Sequence, residues 1–238
     1  MFNGKYGKFL TVLLIIVIIA IVALLGYLGY DFYQKYYITK EVDHTLEQFN
    51  QIYANGNEKE NQIDSNTTLE NVLIPIINIV DDGNSSTGTD NNNTTNNSGN
   101  NNKPTVQMAG QNVMGKIEIP KTDCRYPILE NATAKAMEKA VGIVYGVGLN
   151  QPGNTTISGH NYRNGLFFSN NKKLTNGDKI YITDNSAKTV TYTIYDKYET
   201  TEEDGSYLQR NTGGRREITL VTCTDDGKRR TIIYATAD

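Results

Sequence analysis

The chain has 238 residues, a formal net charge of −3, two histidines, two cysteines and no tryptophan. Acidic residues outnumber basic ones by 26 to 23, and no basic stripe is interleaved with aromatics, which argues against a nucleic-acid interface. One histidine in the folded half and two cysteines fall short of the usual four-ligand zinc set, and no metal or cofactor is expected.

Lys5 and Lys8 precede Phe9 to Leu28, an apolar run interrupted only by Thr11 and Gly26. About 20 such residues cross the hydrocarbon core as a helix. The alternative is a cleaved signal peptide, whose apolar region is usually about 7 to 15 residues long. No small-x-small cleavage site closes the run, which ends Leu25-Gly26-Tyr27-Leu28-Gly29-Tyr30. Residues 9–29 are therefore expected to be a transmembrane signal-anchor behind a cytoplasmic tail of residues 1–8. The basic tail, set against Asp31 after the span, places the rest of the chain outside the cell membrane. Tyr27, Tyr30 and Phe32 suit an interfacial belt.

Residues 30–80 read as an extracytoplasmic stalk, partly helical. Between Asp31 and Gln62, residues Ile38, Val42, Leu46, Phe49 and Ile52 recur at near-helical intervals. That narrow stripe packs back on the protein by default, or pairs with another copy. His44 lies here and reads as a solvated helix-surface residue. Thr67-Thr68-Leu69-Glu70 offers a capping-box start to an apolar segment ending at Val80, with Pro75 ending or kinking any helix. Residues 81–104 are rich in Asn, Ser, Thr and Gly, too polar to offset the entropy of ordering, and form a disordered linker. Its Asn-x-Ser/Thr sequons follow from that composition.

Residues 105–238 carry short strands separated by turn residues. Strands are expected over Met114 to Pro120, Arg125 to Leu129, Asn154 to Ser158, Lys179 to Thr183, Lys188 to Tyr198, Glu217 to Thr222 and Arg230 to Thr236, with a short helix over Thr133 to Val141. With so little helix between them, the fold class is mostly β: a closed antiparallel barrel preceded by the membrane helix and stalk.

Cys223 ends the alternating strand Glu217 to Thr222, where a thiol can face a groove rather than the core. Cysteine is only a few per cent thiolate at neutral pH and needs a basic or cationic partner. His160, in Ser158-Gly159-His160-Asn161-Tyr162, follows a strand and is the credible acid and base. An amide attacked by the thiolate develops charge on oxygen that a donor must stabilise. The hairpin after Cys223 supplies Arg229 and Arg230, which alternation points to opposite faces, so that only one enters the groove. Cys124 reads as a buried, inert thiol; a disulfide to Cys223 is the bland alternative, and it would silence the nucleophile.

Together these segments resemble the sortase family, the membrane-anchored cysteine transpeptidases of Gram-positive bacteria. The resemblance rests on Gly115-Lys116-Ile117-Glu118-Ile119-Pro120, Tyr126-Pro127-Ile128, Ile157-Ser158-Gly159-His160-Asn161-Tyr162, Thr219-Leu220-Val221-Thr222-Cys223, and Arg230 at the start of the last strand. It implies a sortase β-barrel that cleaves an LPxTG-like sorting signal through a thioacyl intermediate on Cys223. His160 then matches the general acid and base, and Arg230 the family arginine, with Arg229 as runner-up. The acyl group passes to an amine of a peptidoglycan precursor or a pilin. Tyr207 and Leu208, in the stretch corresponding to the recognition loop, and Thr222 beside the nucleophile are the expected substrate contacts.

Some members bind calcium through acidic residues in the loop before the histidine strand. Here that loop, Val147 to Asn154, has no carboxylate, so calcium dependence is not supported. Neither an Asp-Pro-aromatic lid nor a second span is visible, which resembles a wall-anchoring or single-substrate subclass rather than a pilus builder. Two other readings stand beside this one: a tethered thiol peptidase that hydrolyses its acyl-enzyme, and a non-catalytic exported barrel that binds peptide.

Overall fold

A computed structural model describes residues 4–54 and 105–238. The apolar segment from Thr67 to Val80 and the Asn-rich linker lie outside the described residues. Helix α1 runs from Lys5–Phe49 and continues as a π-helical turn over Asn50–Ala54. Its first half exposes the large apolar side chains from Phe9 to Leu28, and the helix is long and apolar enough to cross a membrane. Its second half behaves differently. Ile38, Val42, Leu46, Phe49 and Tyr53 fall on one face and join the core of the barrel, with Leu46 fully buried. The apolar stripe thus packs back on the protein, against β2 (Gln111–Ile119) and β3 (Cys124–Leu129). His44 is exposed on the opposite face.

The remaining elements are β1 (Gln107–Met108), which adds to the edge of β2; a one-turn helix α2 (Ala134–Met137), N-capped by the Thr133 hydroxyl; β4 (Val141–Gly146); β5 (Gly153–Ser158); β6 (Lys179–Asp184); β7 (Thr189–Thr200); β8 (Arg216–Cys223); and β9 (Arg230–Ala237). The order is β1-β2-β3-β4-β5-β8-β9-β7-β6, and β6 returns to β2, so eight strands close into a barrel. Closure removes the free edges that an open sheet must protect. At the closing seam, a Cβ on Gly115 would come within 2.4 Å of the Thr183 carbonyl oxygen, so only glycine lets β2 approach β6.

Every seam is antiparallel except β3–β4 and β5–β8, which are parallel. The expected barrel is present and mostly antiparallel; the two parallel pairs are a feature that alternation does not disclose. The helix expected over Thr133 to Val141 is shorter, and β4 takes the residues after it. Gly142 and Gly146 weaken any period in Val141–Gly146, and the pairing with β5 shifts register between Ile143 and Tyr145. Inside the barrel, Ile117, Ile128, Ile157, Ile182 and Leu220 are fully buried.

Docking of α1 makes a testable contribution. Leu46→Ala should weaken this seam by about 2–5 kcal/mol, since the site is close-packed and the void is lined by rigid strands. The check is the urea midpoint of the full chain in detergent micelles, followed by tyrosine fluorescence. Leu14→Ala, on the exposed apolar stretch, should leave that midpoint unchanged.

Candidate active site

Cys223 ends β8 and Arg230 begins β9, and the two are directly opposed in the antiparallel ladder. Opposed residues share a face, so both side chains point outward at the same end of the barrel. The connecting hairpin is held by Thr224, whose amide donates to the Arg229 carbonyl at 2.9 Å and whose hydroxyl accepts from the Arg229 amide at 3.1 Å. In this geometry an Arg230 guanidinium nitrogen donates to Cys223 Sγ at 2.8 Å, and the other arm of the fork pairs with Glu202. Arg229 turns away and donates to the Glu199 carbonyl at 2.8 Å. Alternation thus delivers one arginine to the thiol, and it is Arg230.

His160 arrives by a different route. Strand β5 runs parallel to β8, with Thr156 opposite Thr219 and Ser158 opposite Val221. The Gly159 amide extends the ladder by donating to the Val221 carbonyl at 3.2 Å. Two parallel neighbours end at the same pole, so the residue after Gly159 emerges beside the residue after Thr222. The strand ends that lead to His160 and Cys223 are thus parallel neighbours, not antiparallel ones. Asn161 locks the junction: its side-chain amide donates to the Cys223 carbonyl at 2.9 Å and to Asp225 at 3.0 Å. Gly159 has no room for a side chain, since a Cβ would meet the Phe168 ring at 2.7 Å and Val141 at 2.9 Å.

The His160 ring stacks on Tyr162, centroid to centroid 4.8 Å, and Tyr162 meets Phe167 edge-on. Partial burial of the imidazole lowers its pKa below the ordinary value of 6.5, opposed by the negative charge of Glu138. The neutral ring is therefore favoured. Its contribution to stability is whole above the unfolded value of about 6.5 and is lost as the pH falls through the lower folded value. Cys124 begins β3 and is buried in the core, and burial pushes its thiol up, away from reactivity. Both cysteines are free. Strands β4 and β5 separate β3 from β8, a span of about 14 Å that no disulfide bridges.

The outer face next to Cys223 carries a second apolar cluster of Val221, Ile232 and Tyr234, with Tyr198 and Tyr207 packed against it. Residues 201–215 cross this face and are tied down at Glu217, whose fully buried carboxylate meets Arg210 at 3.1 Å, Arg215 at 2.8 Å and the Tyr195 hydroxyl at 2.9 Å. Arg210 also lies over the Tyr234 ring at 3.5 Å. Leu208 lines an open cleft of about 790 Å³ with Ile143, Tyr145, Val147 and Asn154. This cleft lies toward the start of β5, away from the thiol. Tyr207 and Leu208 thus share the outer face with Cys223. Thr222 does not: alternation turns its side chain into the barrel, where it is 4% exposed and its hydroxyl has no partner among the described residues.

Sequence reasoning missed Asn161 and Glu202. Asn161 stands in the Gly-His-Asn-Tyr segment already singled out, and an amide that can bond backbone was the available signal. Glu202 carries no local signal, because its position follows from the path of a long loop.

A family model for the sortase domain matches residues 117–238, more than half of the chain. The chain belongs to the sortase family. It is 32% identical over 123 residues to sortase A of Bacillus anthracis, a match covering 50% of this chain and 57% of the relative's length. Among solved structures it is similar to a lid mutant of sortase A from Corynebacterium diphtheriae, at TM-score 0.49 and 27% identity, covering 54% of this chain and 71% of that one. A Clostridium perfringens sortase D5 transpeptidase gives TM-score 0.48 and 29% identity, covering 52% of this chain and 78% of that one. In this sortase the matched residues run from within β2 to the end of β9.

The neutral bias of the imidazole can be read directly. In a ¹H–¹⁵N NMR titration of the full chain, the His160 ring should have its midpoint below 6.5. A midpoint at or above 6.5 contradicts the burial that the geometry assigns to it.

Proposed function

We propose that this sortase is a membrane-anchored cysteine transpeptidase. It cleaves an LPxTG-like sorting signal after the threonine, holds the acyl group on Cys223, and transfers it to an amine of the cell wall or a pilin. The observation that carries this reading is the 2.8 Å contact from Arg230 to Cys223 Sγ, with His160 emerging beside them from the parallel neighbour strand.

The steps follow from the placement of the groups. The Cys223 sulfur attacks the carbonyl carbon, and charge builds on its oxygen. Arg230 already faces the sulfur and is placed to donate to that oxygen, in surroundings less wet than bulk water. The neutral His160 ring takes the thiol proton as the sulfur attacks and gives it, as imidazolium, to the departing amine; the ring, neutral again, then takes a proton from the incoming amine. The thioester keeps the acyl-transfer potential of the cleaved amide, so an amine completes the exchange without a further energy source.

The outer face supports an extended substrate. The open cleft lined by Leu208 and Tyr145 is suited to the apolar residues of the signal, whose threonine carbonyl then extends to Cys223. Tyr207, in the second cluster, forms part of the floor. The exposed apolar half of α1 supports a single-pass anchor, with the basic N-terminus inside and the barrel outside.

The test uses the full chain in detergent micelles with a Leu-Pro-x-Thr-Gly peptide and an amine. Mass spectrometry should find the acyl fragment on Cys223, and ligated product should form when amine is present. Cys223→Ala abolishes both. Arg230→Ala should lower kcat/KM by about 10²–10³-fold, while Arg229→Ala leaves it near the unmodified value. Hydrolysis alone, whatever the amine, would make the protein a thiol peptidase. Peptide binding that survives alkylation of Cys223, with no adduct ever formed, would make it a non-catalytic receptor.

A further inference from the structure

The part of the barrel that α1 meets first, on leaving its apolar stretch, is the part that bears His160. Gln34, Tyr37 and Ile38 share a shallow cavity with Tyr162 and Leu166. The Lys35 ammonium lies 3.9 Å from where a Cβ on Gly165 would stand. Residues 162–165, the loop that follows His160 and Asn161, are thereby held against the helix just above its apolar half. Tyr162 and Arg163 in this loop are exposed, and Tyr162 is the ring on which His160 stacks. The other pole of the barrel is distant, since β8 covers about 23 Å from Arg216 to Cys223 at about 3.3 Å per residue. Lys188 sits at that far pole, joined there through Asn150, whose side-chain amide donates to the Lys188 carbonyl and whose own carbonyl accepts from Arg216.

The helix carries a run of aromatics at the same level. Tyr27, Tyr30, Phe32, Tyr33, Tyr36 and Tyr37 are each more than half exposed, whereas the next aromatic along α1, Phe49, is buried. Rings of this kind with a polar tip settle where hydrocarbon gives way to water. Lys35 stands seven residues beyond Leu28, about 10 Å along a continuous helix. The headgroup layer on each side of a bilayer is about 5–8 Å thick. The loop thus borders that layer, and Tyr162 adds an exposed ring from the barrel to those of the helix. A helix tilt of about 20° is ordinary, and a lean toward the barrel brings the loop among the headgroups.

We propose that residues 162–165 and the aromatic turns of α1 beside them form a bilayer-contact surface, resting on phospholipid headgroups so that the pole bearing His160 and Cys223 faces the membrane. The inference rests on the membrane-anchored reading above and adds which face of the barrel the lipid meets. Net charge does not drive the contact. Lys139 is paired with Glu41 and Lys172 with Asp225, which leaves Lys35 and Arg163 against Glu138 and, one turn nearer the span, Asp31. The surface is therefore suited to a zwitterionic lipid: the arginine and lysine donate to the phosphate, and the tyrosine rings take the apolar side of the headgroup. Tyr162 then lies between lipid on one side and the His160 ring on the other. A substrate held in the same membrane reaches the thiol along the bilayer surface, without passing round the barrel.

The chain has no tryptophan, so a single introduced indole, excited beyond the tyrosine band, reports its own depth. The full chain is placed in nanodiscs of phosphatidylcholine, with and without a phosphatidylcholine that carries a nitroxide quencher on its headgroup. Tyr162→Trp, which keeps a ring in place, should lose most of its emission to the nitroxide. Lys188→Trp, exposed at the far pole, should keep its emission. Arg163→Trp repeats the first reading at an exposed side chain, in case Tyr162→Trp does not fold. Ile18→Trp, in the middle of the apolar stretch, is read in discs of chain-brominated lipid and should be quenched there. Emission at 162 and 163 that the headgroup nitroxide does not touch, or that it reduces no more than at 188, overturns the contact surface while leaving the anchor intact. An unquenched indole at 18 overturns both.

Discussion

The parallel pairing of β5 with β8 is the constraint on which the site depends. Six consecutive partners, from Gly153 opposite Arg216 to Ser158 opposite Val221, fix the register. A slip of one residue would turn every side chain to the other face. Because the strands run the same way, they also end together, and the loops that leave them begin side by side. His160 and Cys223 are 63 positions apart in the chain, yet each comes just after a neighbouring strand end or at it. Antiparallel pairing of β8 with β9 then adds Arg230 without any further device, since the first residue of the returning strand opposes the last of the outgoing one. Two pairings thus bring Arg230 onto Cys223 and the segment carrying His160 to the same pole, and the Asn161 side chain ties that segment to the Cys223 carbonyl.

The rest of the fold keeps that pole open and the opposite face covered. Residues 201–215 cross the outer face of β8 and β9 and are fastened at the buried Glu217 by two arginines and a tyrosine hydroxyl. Removing one partner from such a buried set is costly, because a charge is left without compensation. The fastening is at the start of β8, so the end bearing Cys223 stays accessible. The loop reaches that end through Tyr207, packed against Val221 and Ile232, and through Glu202, an exposed carboxylate on Arg230 and an easily exchanged contact. On the other side, the stripe of α1 buries against β2 and β3 and makes the second half of α1 and the barrel one packed body. The pole bearing Cys223 is thereby set at a fixed position relative to that helix.

Much of this was legible in the sequence, and the reasons differ by element. The strands β2 and β6 alternate cleanly because one face is core and the other is not, whereas β8 and β9 show as apolar runs because they are buried on both faces. The stripe Ile38, Val42, Leu46 and Phe49 was visible for the same reason at helical period. Strand β4 was hidden by Gly142 and Gly146 and by its register shift. The direction of pairing was hidden altogether: Asn154 to Ser158 looks alike whether its neighbour runs with it or against it. The choice between Arg229 and Arg230 needed the register of the hairpin, which alternation alone does not fix. Thr222 was drawn in by its position in the motif, yet the same alternation that exposes Cys223 turns it inward.

The most direct measurement of the central claim is the rate of Cys223 alkylation as a function of pH, in the full chain and in His160→Gln. If parallel pairing puts the imidazole beside the thiol, the native profile carries an inflection at the titration of the His160 ring, and the substitution removes it. The buried Cys124 does not compete for reagent. Superimposable single-step profiles for the two proteins would mean that sulfur and imidazole do not sense one another, and the account of the site would be wrong.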